Sequence, residues 1–493
     1  MLVALWGTGC VRKQYFQSDA RPAATRPLPA AADSVRGATA GRQYARPGRL
    51  YQALVGRHHR RTWAAPVTVP VLRLAAARPG GLTPGKVGGG FNSTSLGLNP
   101  TNGPAYVLRT VDKDPIRATP FLLRGTFLVN LLRDNISSTN PYGALVVPPL
   151  AAALGVAHAS PRLFYVRPDD PAFQGDSLRL FRGQLAYLEE KLARPLDIPG
   201  GAAEAMNSTE AFGAVFAGPG QRLDQVALLR ARLLDAWLGD WDRHPGQWNW
   251  AGRAALEPLP KDRDMVFYRL DDGVLGWLIG HVFLRHWTSF HLRYPHPAHL
   301  FSNGHYLDTR GLNGLSRTQF QATARQMQRQ LPDTLISRAV RRLPPAAFAL
   351  EGPGSIAALQ ARRDALPELA TALYQQLSRR PVVGGTAQDE RFEIHRYADS
   401  TTVAVFSEAT TIPSYRRTFY SAETRLIQLE SLGGNDTFVV ENHSKAQSGR
   451  QIRLRLYGGA GTDKFQSKTR TPGVNFRQNA AAAKRAYDRL PEE

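Results

Sequence analysis

The segment from Asp224 to Phe267 constrains this chain more than any other. Val226, Leu228, Leu229, Leu233, Leu234 and Trp237 recur at helical spacing. Asp224 stands just before them, where a carboxylate can accept a backbone N–H as an N-cap. Gly239 stands just after, where a left-handed residue ends a helix. The chain then turns acidic at once, in Gly239-Asp240-Trp241-Asp242-Arg243-His244. A second acidic turn follows, Pro260-Lys261-Asp262-Arg263-Asp264, and Trp241, Trp248, Trp250 and Phe267 give both turns apolar packing. Such loops suit two jobs. One carboxylate can orient or deprotonate a hydroxyl nucleophile. Another can hold Mg²⁺, which takes oxygen ligands and is usually bound by one or two carboxylates plus phosphate oxygens. Paired aspartates are also common in surface turns, so the loops alone read first as a solvated turn with Asp242 paired to Arg243.

Phosphoryl transfer needs cations and backbone donors as well. Gly88-Gly89-Gly90-Phe91-Asn92-Ser93-Thr94-Ser95 lies between strand-like segments. Its N–H groups could cradle phosphates, although a flexible hairpin explains the same residues. Residues 95–98 and 106–109 predict two strands joined by a turn at Asn102-Gly103. Arg109 ends the second strand and Lys113 follows it. Either suits a phosphate-binding cation, and a solvated turn is the plainer reading. A helix is predicted from Asn140 through Leu145, Leu150 and Leu154, with Pro141 in its first turn and Gly155 at its stop. Residues 163–166 predict another strand. The linear order is then a glycine loop, a strand-end cation, a helix, a strand, a long gap and two carboxylate loops.

The motifs Asp242-Arg243-His244 and Pro260-Lys261-Asp262-Arg263-Asp264, with Phe267 beyond, resemble the atypical kinase-like families. These include the secretory-pathway casein-type, spore-coat CotH-type, HipA-type and type II phosphatidylinositol kinases. The resemblance implies an α+β chain with a two-lobed protein-kinase-like fold, followed by a small all-β C-terminal domain. It implies ATP with Mg²⁺ or Mn²⁺ as cofactors. Asp242 would be catalytic with His244 beside it. Asp262 would hold metal, assisted by Asp264 and by Gln247 or Asn249. Gly88, Gly89, Gly90, Lys113 and Arg109 would bind the nucleotide. The helix at 140–154 offers no glutamate to pair with the phosphate-binding lysine, so Asp134 or Glu189 is expected to stand in.

Beyond residue 50 the chain also resembles a module of large bacterial outer-membrane surface proteins of the Bacteroidetes type. There the module lies between a calcineurin-like phosphatase and a surface-antigen β-barrel. The matching segments are Gly88-Gly89-Gly90 with Ser93-Thr94-Ser95-Leu96, residues 107–115, Asn140-Pro141-Tyr142, residues 239–250 and residues 260–267. Lys113 falls within the matched Val111-Asp112-Lys113-Asp114-Pro115, which makes it the first choice of cation and Arg109 the second. Two functions stay open at this point. One is a phosphotransferase acting on an envelope protein or glycan. The other is a catalytically inactive scaffold serving as a membrane-tethered surface or outer-membrane assembly protein.

Composition narrows the partners. The formal charge is +22 over 493 residues, and residues 1–80 carry 13 Lys and Arg against only Asp19 and Asp33. That balance suits anionic lipid or phosphorylated ligands. No zinc-finger, RNA-recognition or basic-zipper pattern points to nucleic acid. The one cysteine, Cys10, excludes an intrachain disulfide. It follows a short apolar, small-residue run, like the end of a bacterial lipoprotein signal. Lipidation at Cys10 is therefore expected, anchoring the chain in the periplasm or at the outer membrane. No apolar run reaches the ~20 residues of a membrane span.

Residues 1–48 read as signal and disordered linker, 49–170 as a β-rich N-lobe-like region, and 171–380 as a helical C-lobe-like region. Residues 381–475 read as the small β domain and 476–493 as a tail. Helices are expected at 317–330, 333–342 and 355–378. Two glycine-aspartate turns, at 432–438 and 458–465, resemble the calcium repeat of β-rolls and raise Ca²⁺ as a ligand there. Two tight turns explain the same residues, and no long-range repeat is evident. His281, His286, His291, His296 and His299 follow no zincin spacing.

Overall fold

The computed structural model describes residues 14–22, 27–88, 94–117, 119–192, 205–407, 410–444 and 451–478. The chain is α+β. Its described N-terminal part departs from the expected linker. Strands β1 (Ser34–Ala38) and β2 (Val67–Pro70) pair antiparallel. Val35, Ala38 and Tyr44 are buried, and Tyr44 packs edge-on against fully buried Trp63. The Trp63 indole donates to the carbonyl of Thr139 at 2.8 Å. A few apolar residues in a Pro-, Ala- and Arg-rich stretch thus order it by docking on distant chain, so the linker assignment fails for residues 34–45.

Five strands follow: β3 (Leu82–Gly88), β4 (Ser95–Pro100), β5 (Tyr106–Thr110), β6 (Arg162–Tyr165) and β7 (Leu185–Glu190). They form one antiparallel sheet in the order β3-β4-β5-β7-β6. A boundary at residue 170 would cut through this sheet, because β7 fills the place between β5 and β6. Side chains alternate between the faces. Leu96, Leu98, Leu108 and Leu188 enter a core with Phe173 and Phe181. Ser95, Gly97, Asn99, Val107, Arg109 and Glu189 take the other face and line a cavity.

The Gln225–Leu238 helix is the hub of the helical half. The Asp224 carboxylate caps it by accepting from the Ala227 N–H at 2.9 Å. Gly239 ends it at φ +77°, in the left-handed region that favours glycine. The helix is buried from Leu228 onward except at Arg230, because the helices Arg317–Gln330, Pro345–Asp364 and Leu366–Ser378 surround it. Arg362 is buried and donates to the carbonyls of Trp237 and Ala236, at 2.8 and 2.6 Å. A cation there complements the carbonyl end of the helix, where the Ala236 carbonyl also accepts from the Gly239 N–H. The helix expected at 355–378 is two helices, broken at Ala365.

A small sheet of β8 (Met206–Asn207), β9 (Arg222–Leu223), β10 (Trp248–Ala251) and β11 (Ala255–Pro260) has the order β8-β10-β11-β9. The β10–β11 hairpin spaces the two acidic loops.

From β12 (Val382–Gly384) onward the described elements are strands. The others are β13 (Glu390–Arg396), β14 (Ser400–Ser407), β15 (Tyr415–Tyr420), β16 (Leu426–Glu430), β17 (Thr437–Asn442), β18 (Arg453–Tyr457), β19 (Lys464–Ser467) and β20 (Val474–Arg477). One sheet, β12-β16-β18-β20, is parallel throughout. In the other, β15-β14-β13-β17-β19, strands β13, β17 and β19 are parallel. The chain therefore winds as stacked coils, with Phe392, Ile394, Phe438, Val440, Leu454 and Leu456 between the sheets. The β14–β15 hairpin interrupts the first coil, and this hides the repeat in the sequence. The last strand reaches Arg477, beyond the expected boundary at 475.

The aspartates of the two glycine turns join the coils. Asp436 Oδ1 accepts from the Glu390 N–H at 2.8 Å, and Asp463 Oδ1 accepts from the Asp436 N–H at 3.1 Å. Burial first, then Glu390 and Asp463 nearby, push the Asp436 carboxyl up to about 7 against the hydrogen bonds that lower it. An unfolded aspartate titrates near ~3.9. The Asp436 contribution to stability is thus full below that value and is lost as pH rises towards 7. Asp436→Asn is expected to flatten the loss of stability between pH 4.5 and 7.5. Denaturant midpoints at both pH values measure this, and equal slopes in wild type and variant would refute it.

Candidate active site

The cavity beneath the five-stranded sheet has a volume of about 650 Å³, within the usual range of roughly 300–1,000 Å³ for ligand sites. Its roof is the polar face of β3, β4, β5 and β7, and its floor is Asn249 with residues 260–263. Val107, Ala144, Val147, Pro161 and Leu192 supply an apolar wall.

Arg109 crosses this space. Its Nε lies 2.9 Å from Glu189, and its Nη1 lies 3.0 Å from Asp262 on the second acidic loop. The register explains the first pair: Val107 opposes Glu189 and Arg109 opposes Tyr187, so Arg109 and Glu189 are diagonal neighbours on one face. Burial raises the Glu189 carboxyl despite Arg109. For Asp262, burial also raises, but Arg109, Lys113, Arg243 and His244 outweigh it and hold the carboxyl below its ordinary value. Asp262 thus stays a carboxylate. It is also one of three non-glycine residues with positive φ among the described residues, at +51°. Backbone in that region costs about 1–3 kcal/mol and clusters at functional sites.

Lys113 lies past the end of β5 and forms an ion pair with Asp264. Burial lowers its ammonium, with Asp262 opposing. The preceding Asp112 accepts from Gln43 Nε2 and the Tyr44 hydroxyl, both at 2.7 Å, and from the Lys113 N–H at 2.9 Å. The ordered N-terminal segment therefore braces the turn that carries Lys113.

The first acidic loop is organised from below by Asp235, on the buried face of the Gln225–Leu238 helix. Asp235 pairs with Arg243 at 3.0 Å and with Arg263. Arg243 is fully buried, lies 4.7 Å over the Trp248 ring, and donates to the carbonyls of Lys261 and Asp262 at 2.7 and 3.2 Å. One guanidinium thereby fixes the first loop to the second. Asp240 is buried, and neither carboxylate oxygen has a hydrogen-bond partner among the described residues. Its nearest cation is Arg243 at 3.7 Å. Burial pushes the Asp240 carboxyl up to about 7, with Asp235 and Asp242 adding to this and Arg243 and Arg263 opposing.

Asp242 is half-buried, and its Oδ1 accepts from Asn303 Nδ2 at 3.1 Å. His244 is exposed, and its Nδ1 accepts from the Gly246 N–H at 3.1 Å, capping its own loop. The Gln247 carbonyl accepts from the Lys261 N–H at 2.8 Å, and its side chain is not among the cavity-lining groups. Asn249 does line the cavity, because alternation on β10 buries Trp248 and Trp250 on the other side. Phe267 packs on Phe290 with ring centroids 4.8 Å apart, anchoring the end of the second loop.

Arg109, Lys113, Asp262 and Asp264 are thus brought to one cleft, and Gly88 lines it, whereas Asp242, His244 and Gln247 are not among its lining residues. Gly89, Gly90 and Cys10 lie outside the described residues. Neither carboxylate weighed as partner to the lysine meets Lys113, which pairs with Asp264: Glu189 meets Arg109, and Asp134 pairs with Arg60 elsewhere. Sequence reasoning missed Asp235, Arg263 and Asn303. Only Asp235 left a signal, as a lone carboxylate in the apolar stripe of a helix, one turn before Gly239.

No protein-family model matches the chain, and no curated protein matches it. Among solved structures, the crystal structure of a Helicobacter pylori proinflammatory kinase, CtkA, overlaps with a TM-score of 0.30 at 11% identity. The overlap covers 60% of this chain and 95% of that one. A likeness that slight carries no argument about this fold or its chemistry.

Proposed function

We propose that this protein is a kinase-like phosphotransferase that takes a Mg²⁺- or Mn²⁺-bound nucleotide in the cleft beneath the five-stranded sheet. The observation that carries this reading is the Arg109–Asp262 contact at 3.0 Å, between a strand-borne cation and a carboxylate on the opposite loop. Kinase sites place a strand cation on the phosphates and a loop carboxylate on the metal, facing each other across the nucleotide. The donor set fits a hard cation: Asp262 is held ionised, and Asp264 lines the same cleft beside it. A bound metal would neutralise charge developing on the transferred phosphoryl group.

The chain's own residues then divide the work. Arg109 and Lys113 hold phosphate oxygens, and Glu189 keeps Arg109 aimed. Asp262 holds the metal, with Asp264 beside it, and Asn249 is better placed than Gln247 to assist. Asp242, oriented by Asn303, accepts a hydrogen bond from the attacking hydroxyl. The apolar wall takes the base. A second reading is an inert scaffold. It is favoured by the pairing of Arg109 with Asp262 and of Lys113 with Asp264, which satisfies each of these charges within the protein. Action at the envelope on a protein or glycan, anchored through Cys10, belongs to the proposal as its biological setting.

Thermal melting with ATP tests the nucleotide site. Mg²⁺- or Mn²⁺-dependent ATP is expected to raise Tm by several degrees. Occupancy at 100 times Kd stabilises by about 2.7 kcal/mol. Asp262→Ala and Arg109→Ala should each remove the shift. No shift in wild type, or an unchanged one in both variants, rejects the reading.

A further inference from the structure

The stacked strands carry a second constellation, unrelated to the cleft. Strands β13 and β17 run parallel in a register that sets His395 beside Glu441. His443 lies two residues beyond Glu441 and so on the same side. Its backbone is fixed there by an N–H bond to the Arg396 carbonyl at 2.8 Å. Strand β19 continues the ladder and brings Lys468 to Glu441 Oε1 at 2.5 Å. That contact leaves Glu441 Oε2 turned towards the two imidazoles.

Three potential donor atoms then converge. His395 Nδ1 and His443 Nε2 lie 3.0 Å apart, and Glu441 Oε2 lies 3.6 Å from the first and 3.8 Å from the second. A hydrogen bond between the rings accounts for one of these distances. It leaves the carboxylate oxygen facing two ring nitrogens, beyond hydrogen-bond range of either. A triangle with these sides has a point about 2.0–2.1 Å from every corner, which is the length of Zn–N and Zn–O bonds. The rings are also held in place. They meet edge to edge, nitrogen to nitrogen, with near-parallel planes and centroids 5.3 Å apart, and Tyr397 lies near-parallel to His443 at 5.0 Å. Among the described residues this is the group of three whose ligand atoms all fall within 4.8 Å of one another. His281, His296 and His299 approach ring to ring instead, at 6.0 and 5.2 Å between centroids.

We propose that His395, Glu441 and His443 form a binding site for a divalent metal of the zinc class, which clasps the first coil of the strand stack to the second. Two imidazoles and one carboxylate suit Zn²⁺ and its borderline neighbours, and do not suit Mg²⁺, which prefers an all-oxygen shell. Three protein ligands leave a fourth position for water, and the 42% exposure of the His443 side chain opens that position to solvent.

The test uses the whole chain with zinc chloride alone. One equivalent of Zn²⁺ is expected to bind by calorimetry and to raise Tm by several degrees. Asp262→Ala should keep this response, which separates the site from the cleft. His395→Ala/His443→Ala should lose both the heat and the shift while keeping the wild-type circular dichroism. Co²⁺ gives a readout that needs no stability change. Wild type should show a visible absorption band that Zn²⁺ displaces, and His443→Gln, altered at an exposed position, should not. An unchanged Zn²⁺ response in the double variant, or no Co²⁺ band in wild type, overturns the proposal.

Discussion

Asp242→Asn is expected to lower phosphoryl transfer by about 10²- to 10⁴-fold, the range supplied by a positioned acid–base group. The substitution keeps the size of the side chain and an oxygen for Asn303. It removes the charge that would orient and receive the proton of an attacking hydroxyl. Nucleotide-dependent stabilisation should survive, because Asp242 makes none of the contacts between Arg109, Lys113, Asp262 and Asp264. Radiolabel transfer from γ-labelled ATP, to the protein itself or to added envelope protein, measures the first effect, and Tm with ATP measures the second. Equal transfer by wild type and variant would remove Asp242 from the chemistry. A nucleotide-dependent Tm shift with no transfer by wild type would establish the inert scaffold.

Asp235→Ala is expected to destabilise the fold by about 3–5 kcal/mol, the cost of removing one partner from a buried charge pair. Asp235 has no exposed side-chain surface and holds Arg243 and Arg263, while Arg232, a third arginine at 3.9 Å, is held more closely by Asp308. Removing Asp235 leaves Arg243 and Arg263 without that carboxylate, and Arg243 is the group that joins the two acidic loops. The variant should therefore lose nucleotide-dependent stabilisation at temperatures where it is still folded. Chemical denaturation gives the stability change, and ATP titration well below Tm gives the coupling. A loss under 1 kcal/mol would show that the arginines find other partners. The same helix packs its Trp237 indole on the Leu359 carbonyl at 3.0 Å, so any unfolding should reach the surrounding helices.

Parts of this organisation were legible because they depend on local pattern. The apolar spacing of Leu228, Leu229, Leu233, Leu234 and Trp237, bracketed by Asp224 and Gly239, marks a helix that ends at the acidic loop. The alternation in β4 and β5, with a Gly-containing turn between them, marks the hairpin that carries Arg109. Helix 317–330 was readable for the same reason. The choice between cations was not. Arg109 and Lys113 are four residues apart; the register of β5 against β7 sets Arg109 beside Glu189, and the packing of the second acidic loop against the sheet sets it beside Asp262.

The N-terminal stretch was misread because its order comes from distant partners: Gln43 and Tyr44 with Asp112, and Tyr44 with Trp63. The coil stack was hidden by the inserted β14–β15 hairpin. The histidine site had no local signature, because His395 and His443 meet only through parallel register.

By itself, the sequence determined that two carboxylate loops follow a capped, amphipathic helix, and that a cation lies near the end of a strand upstream. Helix periodicity and strand alternation are short-range properties of the chain. Tertiary structure alone decided which charges meet. Asp235 under Arg243, Arg109 across from Asp262, and Glu441 between two imidazoles all depend on where separate elements pack. An ion pair needs its charged atoms within about 4 Å of each other, a scale that spacing along a chain does not fix.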